Sequence, residues 1–341
     1  MNAHRRFLAA EDLQKILVHA GIDSPLTEQS LLTGGTYNSV YRLSFADRSG
    51  VVLKLSPDPR GAVMTYEQGI VKTEALFYAM AQDQAALPVP MVIALLDLDL
   101  DLGGGQALLV TELPGVPWFG SGVSGSMRGP LRAELGRLMA SMHAVPGPAF
   151  GYPSESTGAL TARWFEAFAA MLDAVLDDAD RYRAMLPVDP RRVRRALNAC
   201  VDDLDAVLVP SLVHFDLWDG NVLIDLDGPP RISGLIDGER AMWGDPVMDF
   251  ASAALFGEIR DDEDFIRGYQ TSGAVLPLHP SGRRRLLLYR IYLGLIMTVE
   301  PIPRGYGQAE RKHAARVTEQ LIADLAELDQ LTGLDPVAAD R

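Results

Sequence analysis

Cysteine occurs once in 341 residues, at Cys200, so no intramolecular disulfide can staple the fold and a reducing compartment suits the chain. Lysine is almost as scarce: Lys15, Lys54, Lys72 and Lys312 are the only four among 31 basic residues, the rest being arginine. Basic charge is outweighed overall, 31 Lys and Arg against 45 Asp and Glu, for a net charge of −14. That balance argues against a nucleic-acid partner, which requires a basic stripe. It is compatible with a cationic small substrate, and equally with simple solubility. Long apolar runs are missing too. The most apolar late stretch, Leu286 to Val299, is interrupted by Arg290 and is too short to cross a bilayer. The first 13 residues are charged and lack the apolar centre of a secretory signal. The expectation is a cytoplasmic protein, with no membrane, nucleic-acid or protein partner implied.

What is present describes an ordinary globule, 48% hydrophobic with a mean hydropathy of +0.06. Its length exceeds the usual size of one core, which predicts two lobes. Apolar spacing predicts a helix over 8–20, strands within 30–56 around an Asp47-Arg48-Ser49-Gly50 hairpin, and a helix over 63–85 that ends before Pro88 and Pro90. Strands over 91–101 and 106–113 follow, flanking Gly103-Gly104-Gly105. The alternation from Leu96 to Leu102 has the period of a strand with one wet face. It is not a calcium loop, because Leu102 and Leu108 occupy the positions that need glycine and glutamate. Beyond Pro114 the pattern turns helical, over 131–144, 161–186, 190–207, 247–256, 280–299 and 309–331. Short strands at 211–213, 222–225 and 231–236 interrupt it. A strand-rich first third followed by a helix-rich remainder predicts an α+β protein with two lobes, 1–113 and 114–341.

The segment Val213-His214-Phe215-Asp216-Leu217-Trp218-Asp219-Gly220-Asn221, followed by Leu235-Ile236-Asp237, carries the chemistry. Its His-x-Asp, four residues, Asn spacing is that of a kinase catalytic loop. Asp216 can accept a hydroxyl proton; Asn221 and Asp237 can hold magnesium on nucleotide phosphates. Upstream, Lys54 is a lone charge in the apolar strand Val51–Leu55, where a nucleotide lysine would sit. Glu67 and Glu74, seven residues apart, would share a face of the following helix. Either could orient the lysine, and Glu74 is preferred. The turn from Gly34 and Gly35 through Asn38 to Tyr41 can bring backbone N–H groups near phosphate. A literal G-x-G-x-x-G at Gly120, Gly122 and Gly125 lies in a serine-rich linker with no lysine until Lys312, and is rejected as a phosphate cradle. His214 is read as bonding backbone near the catalytic loop, His143 as a packed residue, Asp245 as a helix cap and Asp249 as a brace for the loop. Trp218 and Trp243 could stack on a substrate or simply pack.

Taken in order, these pieces resemble the aminoglycoside phosphotransferase family, small-molecule kinases of the protein-kinase-like fold. The resemblance covers about residues 30–256, most specifically Val213–Phe250. It implies Asp216 as catalytic base, Asn221 and Asp237 as Mg2+ ligands, and Lys54 with Glu74 on ATP, or on GTP as the other possible donor. It also implies an interlobe hinge at about 111–118, where the backbone of Glu112 and Leu113 would meet the base. Phe215 stands where an arginine could grip a phosphorylated loop, and only eleven residues separate Asp237 from Asp249, which leaves no room for a protein-kinase activation segment. The expected function is phosphorylation of a small-molecule hydroxyl. An aminoglycoside-like antibiotic or other amino-bearing metabolite is the leading acceptor. A sugar, amino alcohol or methylthioribose-like acceptor is the alternative, and a silent nucleotide-binding regulator the reading from another class. A cationic acceptor would call for carboxylates near Asp216, drawn from Glu239, Glu258, Asp261–Asp264, Asp173, Asp177 and Asp180. Trp218 and Glu239 are the candidates for direct acceptor contact.

Overall fold

The computed structural model describes residues 6–32, 37–277, 279–307 and 313–334. The chain starts with α1 (Ala10–His19), β1 (Leu26–Leu32), β2 (Ser39–Phe45) and β3 (Val51–Leu55), then α2 (Ile70–Ala85), β4 (Val92–Asp97) and β5 (Gln106–Thr111). The five strands form one antiparallel sheet in the order β1-β2-β3-β5-β4. Strand alternation assigns its two faces. Val51, Leu53 and Leu55 pack with Ala107 and Leu109 under Leu13, Ile16 and Leu17 of α1. Val52 and Lys54, paired with Val110 and Leu108, look the other way, toward α2. The lone charge of β3 is thereby aimed at the interior of the molecule rather than at solvent.

Two boundaries in this half differ from expectation. The helix predicted from Val63 begins at Ile70, because Thr65–Glu67 forms a separate 3-10 turn and Gly69 adopts a left-handed φ of 75°. Glu67 therefore lies outside α2 and shares no helix face with Glu74. The alternating stretch predicted to run to Asp101 leaves the sheet at Asp97. Leu100–Leu102 is a helical turn, followed by Gly103, Gly104 and Gly105 at φ of 86°, 65° and 75°. Three consecutive left-handed residues override the strand period. Arg6 fastens this turn to the end of β3, donating to Gly104 O at 2.8 Å and to Ser56 O at 3.4 Å.

The remainder is helical: α3 (Arg128–His143), α4 (Trp164–Arg181), α5 (Pro190–Ala199), α6 (Val201–Asp205), α7 (Val247–Ala253), α8 (Glu263–Thr271), α9 (Pro280–Val299) and α10 (Ala314–Thr332). The helix predicted over 190–207 breaks at Cys200 into α5 and α6. The apolar stretch ending at Val299 becomes α9, a buried central helix rather than a surface element. Among the described residues no helix is long and apolar enough to cross a membrane. Short strands thread between the helices: β6 (Val116–Pro117), β7 (Ser211–Val213), β8 (Val222–Asp225), β9 (Arg231–Leu235) and β10 (Met242–Gly244), with β8 between β6 and β9, and β7 against β10. Between β5 and β6 the chain is pinned to this helical part. Ser233 Oγ donates to Pro114 O at 2.7 Å, and a Cβ on Gly115 would come within 2.5 Å of Ile224 O.

Helix α8 escaped the sequence reading, because its amphipathic pattern is short and follows an acidic run. Its seat depends on glycine. A Cβ on Gly268 would meet Ala133 O at 1.8 Å, and one on Gly136 would meet Phe265 O at 2.3 Å, so α3 and α8 touch backbone to backbone. Gly268→Ala should therefore destabilise the protein by about 1–3 kcal/mol through forced separation of these helices. Chemical denaturation measures this, and an unchanged midpoint would contradict the close-contact account.

Candidate active site

The candidate catalytic loop leaves β7 at Val213 and turns sharply at Phe215, whose φ of 59° is unfavourable for a bulky residue. Asp249, fully buried on the first turn of α7, holds that turn. Its carboxylate accepts from His214 N at 3.1 Å and from Phe215 N at 2.6 Å. The His143 ring reaches the same carboxylate at 2.9 Å, with Tyr269 on its other nitrogen. His214 donates from Nε2 to Ile236 O at 3.0 Å and accepts from Asp216 N on Nδ1 at 3.2 Å; these roles require the neutral ring. The Phe215 ring stacks on Tyr292 at 5.6 Å in the helical core. Asp245, as expected, accepts from Val247 N at 3.1 Å at the start of α7.

Next comes a 3-10 turn, Asp219–Asn221. From it Asn221 Nδ2 donates to Asp216 O at 2.8 Å and to the Asp216 carboxylate at 3.2 Å. Register does the rest: Val222 pairs with Leu235, and Ile236 N donates to Asn221 O at 3.0 Å. Asp237 is thus delivered just past the strand end, at a left-handed φ of 61°. Its N–H donates to Tyr78 Oη at 3.1 Å. The turn beneath it needs glycine, since a Cβ on Gly238 would sit 2.2 Å from the Phe77 ring.

Lys54 meets this group from the sheet. Its ammonium is ion-paired with Glu74 of α2 and with Asp237, and Tyr78 Oη donates to Glu74 at 2.5 Å. Burial acts to lower the Lys54 pKa, but Asp237 and Glu74 outweigh it and hold the amine well above its ordinary value. Glu74 rather than Glu67 is the carboxylate on the lysine. Glu67, the alternative, is instead buried on Arg304 at 2.8 Å. Asn38, at the entry to β2, donates from Nδ2 to Glu239 at 2.6 Å. Burial, then Glu74 and Asp237, push the Glu239 carboxyl up to about 8. Glu239, expected on the acceptor, is thus turned toward the sheet and the lysine. Gly35 lies outside the described residues.

The other expected residues are more scattered. Trp218 is partly exposed and tilts against Phe119 at 5.3 Å. Glu112 pairs with Arg42 at 2.7 Å, and the Leu113 side chain lies against Gly234 of β9. The acidic set proposed for a cationic acceptor is mostly taken up by arginines. Glu258 bridges Arg283 and Arg290, Asp262 pairs with Arg132, Asp264 with Arg267 and Asp173 with Arg194. What stands beside Asp216 is a cation, Arg240, at 3.5 Å, itself on Glu300 at 2.7 Å. Arg240, Glu300, Arg304 and Tyr78 were missed because charge and ring chemistry alone do not distinguish a buried arginine from a surface one. The available signal was the position of Arg240, three residues after Asp237.

Among the described residues no cluster of three or more His, Cys, Asp or Glu could hold a metal alone. The donor set still fits Mg2+, which takes one or two protein oxygens and completes its shell with phosphate and water. Asn221 spends its Nδ2 on Asp216, which leaves its carbonyl oxygen available, and Asp237 remains one-third exposed.

Residues 28–289 match the family model of the phosphotransferase enzyme family. A curated relative, a probable ketoamine kinase of Lactiplantibacillus plantarum, is 29% identical over 52% of this chain and 63% of its own length. The chain spans less than two thirds of the length of such curated relatives. Two solved structures share the fold. A candidate fructosamine-3-kinase from Thermobifida fusca has a TM-score of 0.66 at 20% identity, covering 93% of this chain and 100% of that one. A thermostable mutant of aminoglycoside phosphotransferase APH(4)-Ia, in complex with ADP and hygromycin B, has a TM-score of 0.60 at 20% identity, covering 92% and 97%. The architecture is the expected two-lobed, protein-kinase-like α+β fold.

Asp249→Ala should cost about 3 kcal/mol, since two buried N–H groups lose an ionised acceptor. The turn at Phe215 should loosen with it. Thermal melting together with amide exchange at His214 and Phe215 measures both; unchanged protection there would contradict the bracing role.

Proposed function

The chain belongs to the phosphotransferase enzyme family, and on that premise we propose that it is an ATP- and Mg2+-dependent kinase of a small metabolic acceptor. Sugar-like ketoamines are the leading acceptor class. The observation that carries the reading is the meeting of Lys54, Glu74 and Asp237, joined through β8 and β9 to the Asp216–Asn221 pair. A lysine shared between carboxylates of two lobes is suited to exchange one of them for nucleotide phosphate. ADP in a structural neighbour supports nucleotide binding, and use of ATP agrees with the cytoplasmic placement expected from the sequence.

In this reading Lys54, oriented by Glu74, takes the nucleotide phosphates. Glu112 and Leu113 offer backbone to the base at the hinge between lobes 1–113 and 114–341. Asn221 and Asp237 would hold Mg2+, which neutralises phosphate charge when bound. Asp216 orients the acceptor hydroxyl and takes its proton while the hydroxyl oxygen bonds to the γ-phosphorus and the bond to the bridging oxygen breaks. His214 and Asp249 support the loop. Trp218, beside Asp216 in sequence, is available to the acceptor.

Arginines occupy the carboxylates a polycation would need, and Arg240 stands next to the base. Both features disfavour a polycationic aminoglycoside, and the relatives' ketoamine kinase names favour a sugar-like ketoamine instead. A coupled ADP-release screen over ketoamines, sugars, amino alcohols and aminoglycosides should find turnover with a sugar-like acceptor. Turnover confined to aminoglycosides would overturn the acceptor class, and none at all the kinase reading. Asp216→Ala should abolish transfer with nucleotide affinity retained, whereas Asp237→Ala should weaken Mg2+–ATP binding and turnover together; equal mild losses would show the roles misassigned. Burial raises the Asp216 pKa, with the Arg240 guanidinium opposing. Only the ionised carboxylate accepts a proton, so kcat should fall roughly tenfold per pH unit below that raised pKa, read from a pH–rate profile.

A further inference from the structure

A chain of buried charges runs from the catalytic loop to the nucleotide side of the molecule. Arg240 lies between Asp216 at 3.5 Å and Glu300 at 2.7 Å. Glu300, just past α9, also pairs with Arg304. Arg304 donates from Nε to Glu67 at 2.8 Å and places its guanidinium 4.4 Å from the Tyr37 ring. Glu67 is tied in turn to Met64 N at 2.7 Å, on the approach to α2. Arg240, Glu300, Arg304 and Glu67 are between 3% and 8% exposed. Signs alternate along the whole chain, so each inner charge has two neighbours of opposite sign.

Such a chain is costly to bury, and removing one member strands two others. A pair of well-packed apolar residues would serve stability as well. Its placement gives it a different use. One end sets the carboxylate that faces the acceptor; the other holds Tyr37, which leads into β2 next to Asn38 on Glu239. We propose that Arg240 and Arg304, joined by Glu300, are positioning residues: Arg240 fixes Asp216 for the acceptor hydroxyl, and Arg304, through Tyr37, fixes the start of β2 and with it Asn38 on the nucleotide side. The inference rests on the kinase reading and adds a division of labour within it. Lysine cannot replace either arginine fully, because only the planar fork reaches two carboxylates at once while stacking on a ring.

The test separates kcat from nucleotide affinity in Arg240→Lys, Arg304→Lys, Arg304→Met and Glu300→Gln, each corrected for folded fraction by circular dichroism. Arg240→Lys should lower kcat about 10- to 100-fold through a displaced base, with KM for ATP unchanged. Arg304→Met should raise the Kd of a non-hydrolysable ATP analogue about tenfold as the ring contact is lost, and Arg304→Lys should recover part of it. Glu300→Gln should show both defects. A purely structural network would lower melting temperatures while leaving kcat and Kd per folded molecule at wild-type values, and that result would overturn the proposal. So would a swap of the two defects between Arg240 and Arg304. The analogue-binding arm needs no acceptor, so it tests Arg304 even if the wild-type protein turns over nothing in the acceptor screen, a failure that would count against the kinase reading instead.

Discussion

The carboxylate of Asp249 is the point from which the helical half is organised. Fully buried, it accepts two consecutive backbone N–H groups at a turn that Phe215 would not adopt unaided. The same carboxylate receives His143 from α3, and through Tyr269 that histidine reaches α8. One side chain thereby ties three helices to the loop that presents Asp216. The strain of a left-handed phenylalanine is offset by charge-assisted bonds, each stronger than a neutral one, and by the stack of its ring on Tyr292.

The second constraint lies where the two halves meet. A lysine on an interior-facing strand position cannot be left bare, since an unpaired buried ammonium is far costlier than a paired one. Glu74 comes from the sheet half and Asp237 from the helical half, so satisfying Lys54 pulls the halves into register. Tyr78 closes the arrangement by donating to Glu74 and accepting from the Asp237 backbone. The phosphate-binding lysine of the proposed function is in this way also a structural hub. A bound nucleotide would compete with Asp237 for it, so the pair is suited to exchange partners on binding.

Much of this was legible before folding was considered. The His214–Asn221 spacing and Asp237 depend on local chain distance. Here a strand, a turn and a second strand bring together residues that are near in sequence, so periodicity and spacing suffice. The choice of Glu74 over Glu67 was also within reach, although for a reason the sequence did not supply: Gly69 ends the helical continuity between them. Helix α8, the break at Cys200 and the early end of β4 were out of reach. Each depends on a close backbone contact or a run of left-handed glycines rather than on hydrophobic pattern.

The amino-acid sequence by itself determined the α+β division, the candidate catalytic segment and the lysine that faces it, because those follow from strand and helix periods and from short-range motifs. Only the tertiary structure decided which carboxylates are free. Glu258, Asp262, Asp264 and Asp173 read as a possible cation-binding face until the fold gave each an arginine. Packing alone set Arg240, Glu300, Arg304 and Glu67 in one buried, alternating chain. The physical reason is that electrostatic roles depend on desolvation and on partners distant in sequence. Glu67 and Arg304, for instance, are 237 residues apart, and no local pattern encodes that meeting.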